Sequence, residues 1–455
     1  MFINLPEKVK FIIERLAQYG FDAYAVGGCV RDSILNKKPN DWDICTDALP
    51  KQTKAVFSEC RQIDSGIKHG TIAVIIDDDI FEITTYRIDG EYSDNRHPDN
   101  VIFTNLLESD LARRDFTVNS MAYNDKNGLI DPFGGLKDLQ NKLIKCVGIP
   151  DTRFNEDALR IMRALRFASG FNFLIDTDTQ KSIFKNKNLL KNIAVERINA
   201  EFTKLLVSTS ASRIIQDYRD VIAVFIPEIS VMFDYDQHTM HHNLDLWRHS
   251  LKAMSIAPQT PLLRMTMLLH DIGKPYTCTT DADGNRHFRG HAKQSAAIAE
   301  KILKRLRYSS DFINTCVLLI FWHDIPLNGS KKQLRRLLSK IGDENMRLLF
   351  KVQLSDKNAQ SDYMHAEKLE ILQEAVRAFE DIIEENECFS LKDLAVNGND
   401  LIKVGVKQGK EVGKILNMLL NEVIDEKLKN EKDALLEQVK SYIKQNAEAK
   451  HKRNS

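Results

Sequence analysis

Apolar residues recur at helical spacing between residues 7 and 18, where Val9, Ile12, Ile13, Leu16 and Ala17 make one stripe, so the chain opens on an amphipathic helix. The run from Phe21 to Val26 predicts a strand. Two glycines separate it from an apolar-periodic run, Val30 to Leu35, that predicts the start of a helix. Pro50 to Cys60 predicts a short helix, and Thr71 to Ile76 and Ile80 to Arg87 predict two strands joined as a hairpin across Asp77-Asp78-Asp79. In the second of these strands Glu82 points away from Phe81 and Ile83, onto the face of Thr84. The pattern lapses between residues 87 and 110, which are polar, contain Gly and Pro, and predict a loop long enough to suggest a function. It returns as one strong helix over residues 156 to 168, with Ala158, Ile161, Met162, Leu165 and Ala168 as the buried stripe. Beyond this point the strong patterns are helical: an apolar helix ending at His270, a long amphipathic helix from Lys368 to Glu385, and a helix–turn–helix that follows Leu394. The polar tail, Ala447 to Ser455, is expected to fray. The fold class is therefore α+β, with a mixed sheet and helices at the N-terminus and an all-helical remainder.

Composition narrows the classes. A length of 455 residues suits two to four domains. Lys and Arg balance Asp and Glu at 64 each, so no global field draws in nucleic acid and any RNA contact needs a local basic patch. The seven cysteines are odd in number, scattered and free of any CxxC pair, which argues against zinc ribbons and a disulfide framework and fits a reducing cytoplasm. The opening residues, MFINLPEKVKFIIERL, are amphipathic and contain acids, so they predict neither a signal peptide nor a membrane span, and no membrane partner is expected.

The densest chemistry is Val26-Gly27-Gly28-Cys29-Val30-Arg31-Asp32, followed by Asp41-Trp42-Asp43. Glycines at a strand-to-helix junction let a phosphate approach the backbone, and the helix N-terminus behind them favours anions. Two aspartates at i and i+2, if in a strand, share a face, and paired carboxylates repel unless a cation lies between them. Hard oxygen ligands suit Mg²⁺ together with substrate phosphates. A lone glycine pair is ordinarily a turn and a lone Asp-x-Asp a solvated loop. In this order and this close, they are the equipment for metal-assisted nucleotidyl transfer.

GGCVRD followed by DWDI resembles the head of class II tRNA nucleotidyltransferases, the CCA-adding enzymes, and their relatives the bacterial poly(A) polymerases, all polymerase-β-like nucleotidyltransferases. The resemblance implies Asp41 and Asp43 as Mg²⁺ ligands, Glu82 as a candidate third catalytic carboxylate, and Gly27, Gly28 and Arg31 as triphosphate contacts. Residues 87 to 110 resemble the family's flexible loop, which is needed for the switch to the terminal A and is shortened in CC-adding relatives. Arg113-Arg114-Asp115-Phe116-Thr117-Val118-Asn119-Ser120-Met121-Ala122 is similar to the motif RRDFTxNAMA, with Ser120 in place of Ala. It implies ribose and triphosphate contacts by Arg113, Arg114 and Asp115, with Asn119 structural. DPFGGLKDL, residues 131 to 139, is similar to the segment that follows, a glycine turn with a hinge role. Asp157, Arg160 and Arg163, spaced three apart, read by themselves as an intrahelical ion-pair run, but an Asp acceptor beside an Arg donor can also read a Watson–Crick edge. They are similar to the family's EDxxR element, which implies that Asp157 and Arg160 select CTP and then ATP while Arg163 and Arg166 hold phosphate or helix packing. Residues 195 to 201, VERINAE, resemble the ERIxxE element that buttresses this neck.

A second constellation follows in the order His249, His270-Asp271, His291, His323, Asp356. A single histidine on a helix is ordinarily structural, but imidazole recurring with carboxylate suits a transition metal such as Mn, Fe, Ni or Zn. HDIGKP, with these flanking residues, resembles the HD phosphohydrolase domain over roughly residues 240 to 365. There the first His, the HD pair and the last Asp bind one metal, and the extra histidines bind a second or the substrate. His238, His241 and His242 carry no assigned role. From residue 401 onward 12 Lys and Arg face 8 Asp and Glu, and NGNDLI with GKEVGKILNMLL resembles the family's tRNA-gripping tail.

The expected organisation is a nucleotidyltransferase head at 1–145, a helical neck at 146–235, an HD domain at 236–365 and a helical tRNA-binding region at 366–455. The expected activity is addition of the 3′-terminal CCA to the tRNA acceptor arm from CTP and ATP, with possible HD-domain phosphatase or phosphodiesterase activity. The alternatives are a poly(A) polymerase, a partial A-adding or CC-adding enzyme, and an HD hydrolase whose head only binds RNA.

Overall fold

The computed structural model describes residues 2–64, 66–90, 100–238 and 243–454. They form two compact units, Met1–Ser230 with Arg305–Arg307, and Val231–Lys304 with Tyr308–Ser455.

The first unit begins with α1 (Glu7–Gln18), whose Val9, Ile12, Ile13 and Leu16 are buried as the stripe predicts. β1 (Ala23–Val26) is buried along its whole length, and α2 (Gly28–Ile34) leaves it through the glycine pair. Then come β2 (Ile44–Thr46), α3 (Pro50–Val56), β3 (Arg61–Ile63), β4 (Thr71–Ile76) and β5 (Asp79–Thr85). Asp77 and Asp78 both take positive φ, 46° and 70°, and Ile76 pairs with Asp79. This two-residue turn is of the kind whose twist suits a hairpin. After β6 (Arg87–Asp89), β7 (Val101–Phe103) and α4 (Leu107–Ala112), the unit adds β8 (Ala122–Asn124), β9 (Gly128–Ile130) and α5 (Gly135–Gln140). The main sheet is seven-stranded, in the order β3-β4-β5-β2-β1-β8-β9. The β2–β5 pair is parallel and the others antiparallel. It is the mixed sheet expected, with β1 and β2 central, and all three residues of β2 are buried.

Two expectations are corrected here. The stretch 87–110 is not structureless: β6 and β7 pair as an antiparallel ladder, Ile88 opposite Ile102, and α4 follows. Residues 91–99 of the expected loop lie outside the described residues. The expected helix over 156–168 is two helices, α6 (Pro150–Glu156) and α7 (Leu159–Phe171), with Asp157 extended between them at φ −138° and ψ 103°. The stripe could not reveal the break, because Ala158, Ile161, Met162, Leu165 and Ala168 are all buried despite it. The unit continues with α8 (Thr177–Asn186), capped by Asp176, and α9 (Val195–Leu206), whose Ile198, Phe202, Leu205 and Leu206 are buried, then α10 (Ala211–Asp217) and α11 (Arg219–Ile222).

Among the described residues the second unit is helical apart from one two-stranded ladder, Thr279–Thr280 with Arg286–His287. Its helices are α12 (Leu246–Ile256), α13 (Pro261–Leu269), α14 (Lys274–Thr277), α15 (His291–Arg305), α16 (Ser310–Trp322) and α17 (Lys331–Ala359), which is broken at Gly342, then α18 (His365–Glu384). Helix α13 is apolar on nearly every side because it packs against α12, α16 and α17 at once. Helices α19 (Gly398–Lys403), α20 (Lys410–Ile424) and α21 (Lys432–Asn454) close a separate apolar cluster around Leu401, Leu419 and Leu435. The tail expected to fray continues α21 as far as Asn454. Among the described residues no helix is long and apolar enough to cross a membrane.

Candidate active site and metal centre

A polar cleft of about 620 Å³ opens in the first unit, beside the β1–α2 junction and the N-terminal half of α7. Its lining takes in Gly27, Gly28, Arg31, Asp41 and Asp43 from the first motif, Arg113, Arg114 and Asp115 from the second, and Asp157, Arg160, Arg163 and Arg166 from the third. Eight cations, seven of them arginines, face five aspartates there. A chain of zero net charge thus concentrates positive charge where an anion would enter.

Gly27 is required at its position. Its φ is +81°, and a Cβ there would lie 3.0 Å from Arg114 Nη1. Asp41 and Asp43 precede β2 rather than lying in it, although the Asp43 carbonyl still accepts from Val26 N at 3.0 Å and so ties the pair to the central strand. Burial pushes the Asp43 carboxyl up to about 6, helped by the charges of Asp41 and Glu82 and opposed by Arg114. The side chain lines the cleft and is exposed there. Glu82 and Asp43 line a second, smaller cleft of about 190 Å³ together with Arg113 and Arg114. Asp41, Asp43 and Glu82 form an oxygen-only donor set suited to a hard divalent cation.

The arginines are held by acids. Asp110, fully buried, accepts from Arg113 Nε at 2.9 Å and from Arg114 Nη2 at 3.1 Å. Asp115 accepts from Arg163 Nε at 2.7 Å and from Asn119 Nδ2 at 3.0 Å. Burial raises its proton affinity, but Arg163 and Asn119 outweigh that and hold it down at about 2. Asn119 in turn accepts from Arg31 and lines the cleft, so it joins two site residues rather than only packing. Arg160 donates to Glu156 at 2.7 Å and to the Arg113 carbonyl at 3.0 Å. Asp157 accepts Leu159 N at 3.1 Å, capping α7, and takes a two-pronged contact from Arg197 at 2.9 and 3.4 Å. Arg166 is paired with Glu201. Arg197 and Glu201 belong to the segment read as a buttress; Arg197 contacts Asp157, Glu201 contacts Arg166, and Arg197 also lines the cleft. In the glycine turn, Asp131 accepts from the amides of Gly135 and Leu136 at 2.7 and 2.9 Å, and a Cβ on Gly135 would collide with the Thr117 carbonyl.

In the second unit, His249, His270, Asp271, His291, His323 and Asp356 converge, from α12, the end of α13, the start of α15, the end of α16 and α17. Asp271 stands at the centre. Its Oδ2 lies 3.1 Å from His270 Nε2 and 3.6 Å from His249 Nε2, and its Oδ1 lies 3.2 Å from His291 Nε2 and 3.5 Å from His323 Nε2. Asp356 Oδ1 is 3.0 Å from His249 Nε2. His270, His291 and His323 each place Nδ1 2.7–2.8 Å from the carbonyl three residues earlier, on Met267, Phe288 and Ile320. That bond puts the proton on Nδ1 and leaves the Nε2 lone pair for the cluster. His270 Nε2 and Asp271 Oδ1 are buried without a hydrogen-bond partner. A nitrogen–oxygen donor set with orphaned, inward-facing atoms fits a transition metal, and Asp271 separates it into two triads. Lys274 contacts Asp271 at 2.7 Å, and Gln360 fixes the second oxygen of Asp356 at 2.9 Å. His238 contacts Asp236 at 3.1 Å, outside this cluster, while His241 and His242 lie outside the described residues.

Sequence reasoning did not single out Asp110, Glu156, Arg197 or Gln360. A signal existed for three of them, since Asp110 stands three and four residues before its arginines, Glu156 four before Arg160 and Gln360 four after Asp356, spacings that meet on a helix.

The Poly A polymerase head domain matches residues 23–145, the RNA and SrmB-binding site of polymerase A matches residues 172–232, and domain 2 of tRNA nucleotidyltransferases matches residues 287–439. The CCA-adding enzyme of Ligilactobacillus salivarius is 45% identical over 220 residues, 48% of this chain and 54% of that relative. The chain thus spans about half the length of that relative and of several others it matches. The CCA-adding enzyme of Pediococcus pentosaceus is 38% identical over 283 residues, 60% of this chain and 71% of the relative. Among solved structures, the Bacillus stearothermophilus CCA-adding enzyme in complex with CTP aligns over 96% of this chain and 98% of its own, at 28% identity and a TM-score of 0.69. The Thermotoga maritima CCA-adding enzyme complexed with tRNA shares the fold at 19% identity and a TM-score of 0.59, over 96% of each chain. With the motifs assembled in one cleft and these relatives beside it, the chain belongs to the family of CCA-adding enzymes.

Proposed function

We propose that this chain adds the 3′-terminal CCA to tRNA from CTP and ATP, the RNA 3′-hydroxyl attacking the nucleotide α-phosphate and pyrophosphate leaving. The observation that carries this reading is the single cleft in which two aspartates, a glycine–helix junction, clustered arginines and the Asp157–Arg160 pair meet. Asp41, Asp43 and Glu82 would hold Mg²⁺, which when bound supplies Lewis-acid stabilisation of charge on the phosphoryl oxygens. Arg31, Arg113 and Arg114, backed by the Gly28 amide at the start of α2, receive the triphosphate, and Asp115 keeps Arg163 aimed beside it. Asp157 accepts from the exocyclic amine of cytosine or adenine while Arg160 donates to the neighbouring ring nitrogen; uracil and guanine present a carbonyl where the amine is needed. We place the protein in a reducing cytoplasm, in keeping with seven free cysteines.

For the second unit we propose an HD-type metal-dependent phosphohydrolase centre, supported by the six converging residues and the orphaned His270 and Asp271 atoms. His249, His270, Asp271 and Asp356 would hold one ion and Asp271, His291 and His323 a second, of Mn, Fe, Ni or Zn.

The two sites are separable by substitution. Asp41→Ala should lower nucleotide addition by about 10²–10³-fold or more, and leave phosphoester hydrolysis by metal-loaded protein unchanged. His270→Ala should do the reverse and lower bound transition metal, read by elemental analysis. Loss of both activities in either folded variant would contradict the two-site reading.

A further inference from the structure

We propose that Phe167 is a positioning residue of the triphosphate subsite, its ring holding three arginines of the cleft in place by their guanidinium faces. This deepens the nucleotidyl-transfer reading above and rests on it. The guanidinium carbons of Arg166, Arg31 and Arg163 lie 4.0, 5.2 and 5.2 Å from the centroid of this one ring. All three side chains, and Phe167 itself, line the cleft. The ring is 6% exposed and is fixed from two sides. Phe116, fully buried, meets it edge-on at 5.9 Å, and Phe171 stacks on it at 5.9 Å with planes 4° apart. Phe171 extends the arrangement, with Arg31 4.7 Å and Lys37 5.0 Å from its centroid.

The chemistry explains why a ring belongs here. Three like charges converging on one wall repel, and their polar partners take up in-plane donors: Asp32 and Asn119 on Arg31, Asp115 on Arg163, Glu201 on Arg166. A guanidinium donates only in its plane, so a carboxylate partner uses up N–H groups that a phosphate would need. The face donates nothing. An aromatic ring against that face offsets the repulsion through its quadrupole and takes up no in-plane donor. Arg163, Arg166, Phe167 and Phe171 are all on α7, which also carries the base-reading Arg160, whereas Arg31 is on α2. The ring therefore ties the triphosphate arginine of one helix to the base-reading helix.

The test is equilibrium binding of inorganic tripolyphosphate, and of CTP, to the full chain. Phe167→Leu keeps an apolar side chain and removes the π face, and Phe167→Tyr keeps the face. Tripolyphosphate should bind the Leu variant about ten-fold more weakly, with KM for CTP rising by a similar factor, and the Tyr variant within about two-fold of wild type. Binding by Phe167→Leu equal to wild type would overturn the proposal, and so would equal weakening in the Leu and Tyr variants. If thermal melting shows Phe167→Leu unfolded, Phe171→Leu at the half-buried end of the stack takes its place. It should weaken tripolyphosphate several-fold, and an unchanged affinity there would also overturn the proposal. A wild-type chain that bound tripolyphosphate but added no nucleotide would overturn the nucleotidyl-transfer reading and leave the ring's role standing.

Discussion

At the scale of single residues, Asp43 carries the clearest electrostatic signature. Its carboxyl is pushed up to about 6 from an ordinary 3.8 by burial and by Asp41 and Glu82. The folded chain therefore holds this proton more tightly than the unfolded chain, and folding stability falls as pH rises through that window. The cost is complete above about pH 7 and is relieved by a cation at the site. Without divalent metal at about pH 7.5, Asp43→Asn should melt at a higher temperature than wild type. Mg²⁺ should raise the melting temperature of wild type more than that of the variant, and this difference should shrink as pH drops below about 6. Equal Mg²⁺ effects in the two proteins across pH would contradict the assignment. Residues such as Asp43 were legible because their type and spacing are unusual: a glycine pair, an Asp-x-Asp, an HD pair with outlying histidines. Arg197 was not, because its partner is 40 residues away along the chain. Only the fold shows that Arg197 meets Asp157.

At the scale of elements, the break between α6 and α7 matters most. Periodicity alone runs unbroken through residues 156–168, so it predicts one helix and sets Asp157 on a shared helical face with Arg160 and Arg163. Asp is a poor helix-interior residue and a good cap, and here it caps the Leu159 amide from an extended position. The carboxylate is thereby freed from the helix surface and gripped by Arg197 in the first turn of α9. The hairpin of β6 and β7 escaped notice for a related reason, since strands of three residues are too short to register an alternation. The α7–α9 tie has a measurable consequence. Arg197→Met should lower kcat/KM for CTP and ATP roughly ten-fold, the scale of a half-buried charged contact, and narrow discrimination against UTP and GTP, since Asp157 then loses its fixed orientation. Single-nucleotide incorporation with each of the four triphosphates measures this; a uniform fall for all four would show that Arg197 only stabilises the neck.

At the scale of the whole molecule, zero net charge proved a guide to what is absent rather than to where chemistry sits. Eight cations gather in one cleft, a local arrangement that composition averages away. The α+β class and the helical character of the second unit followed from the shift from strand-like runs to helical stripes, because a half-buried helix announces itself by period. The order of the seven strands did not, because pairing is decided by contacts between distant segments such as β1 and β8. The measurement that bears most directly on the central claim is a product ladder. It uses tRNA ending at the discriminator base and tRNA ending in CC, each with CTP and ATP separately and together. The account predicts exactly CCA on the first substrate, a single A on the second, and a halt thereafter. A long run of A would make the protein a poly(A) polymerase, and a halt after CC or growth only on the CC-ended substrate would make it a partial enzyme. No incorporation at any Mg²⁺ concentration would contradict the account outright.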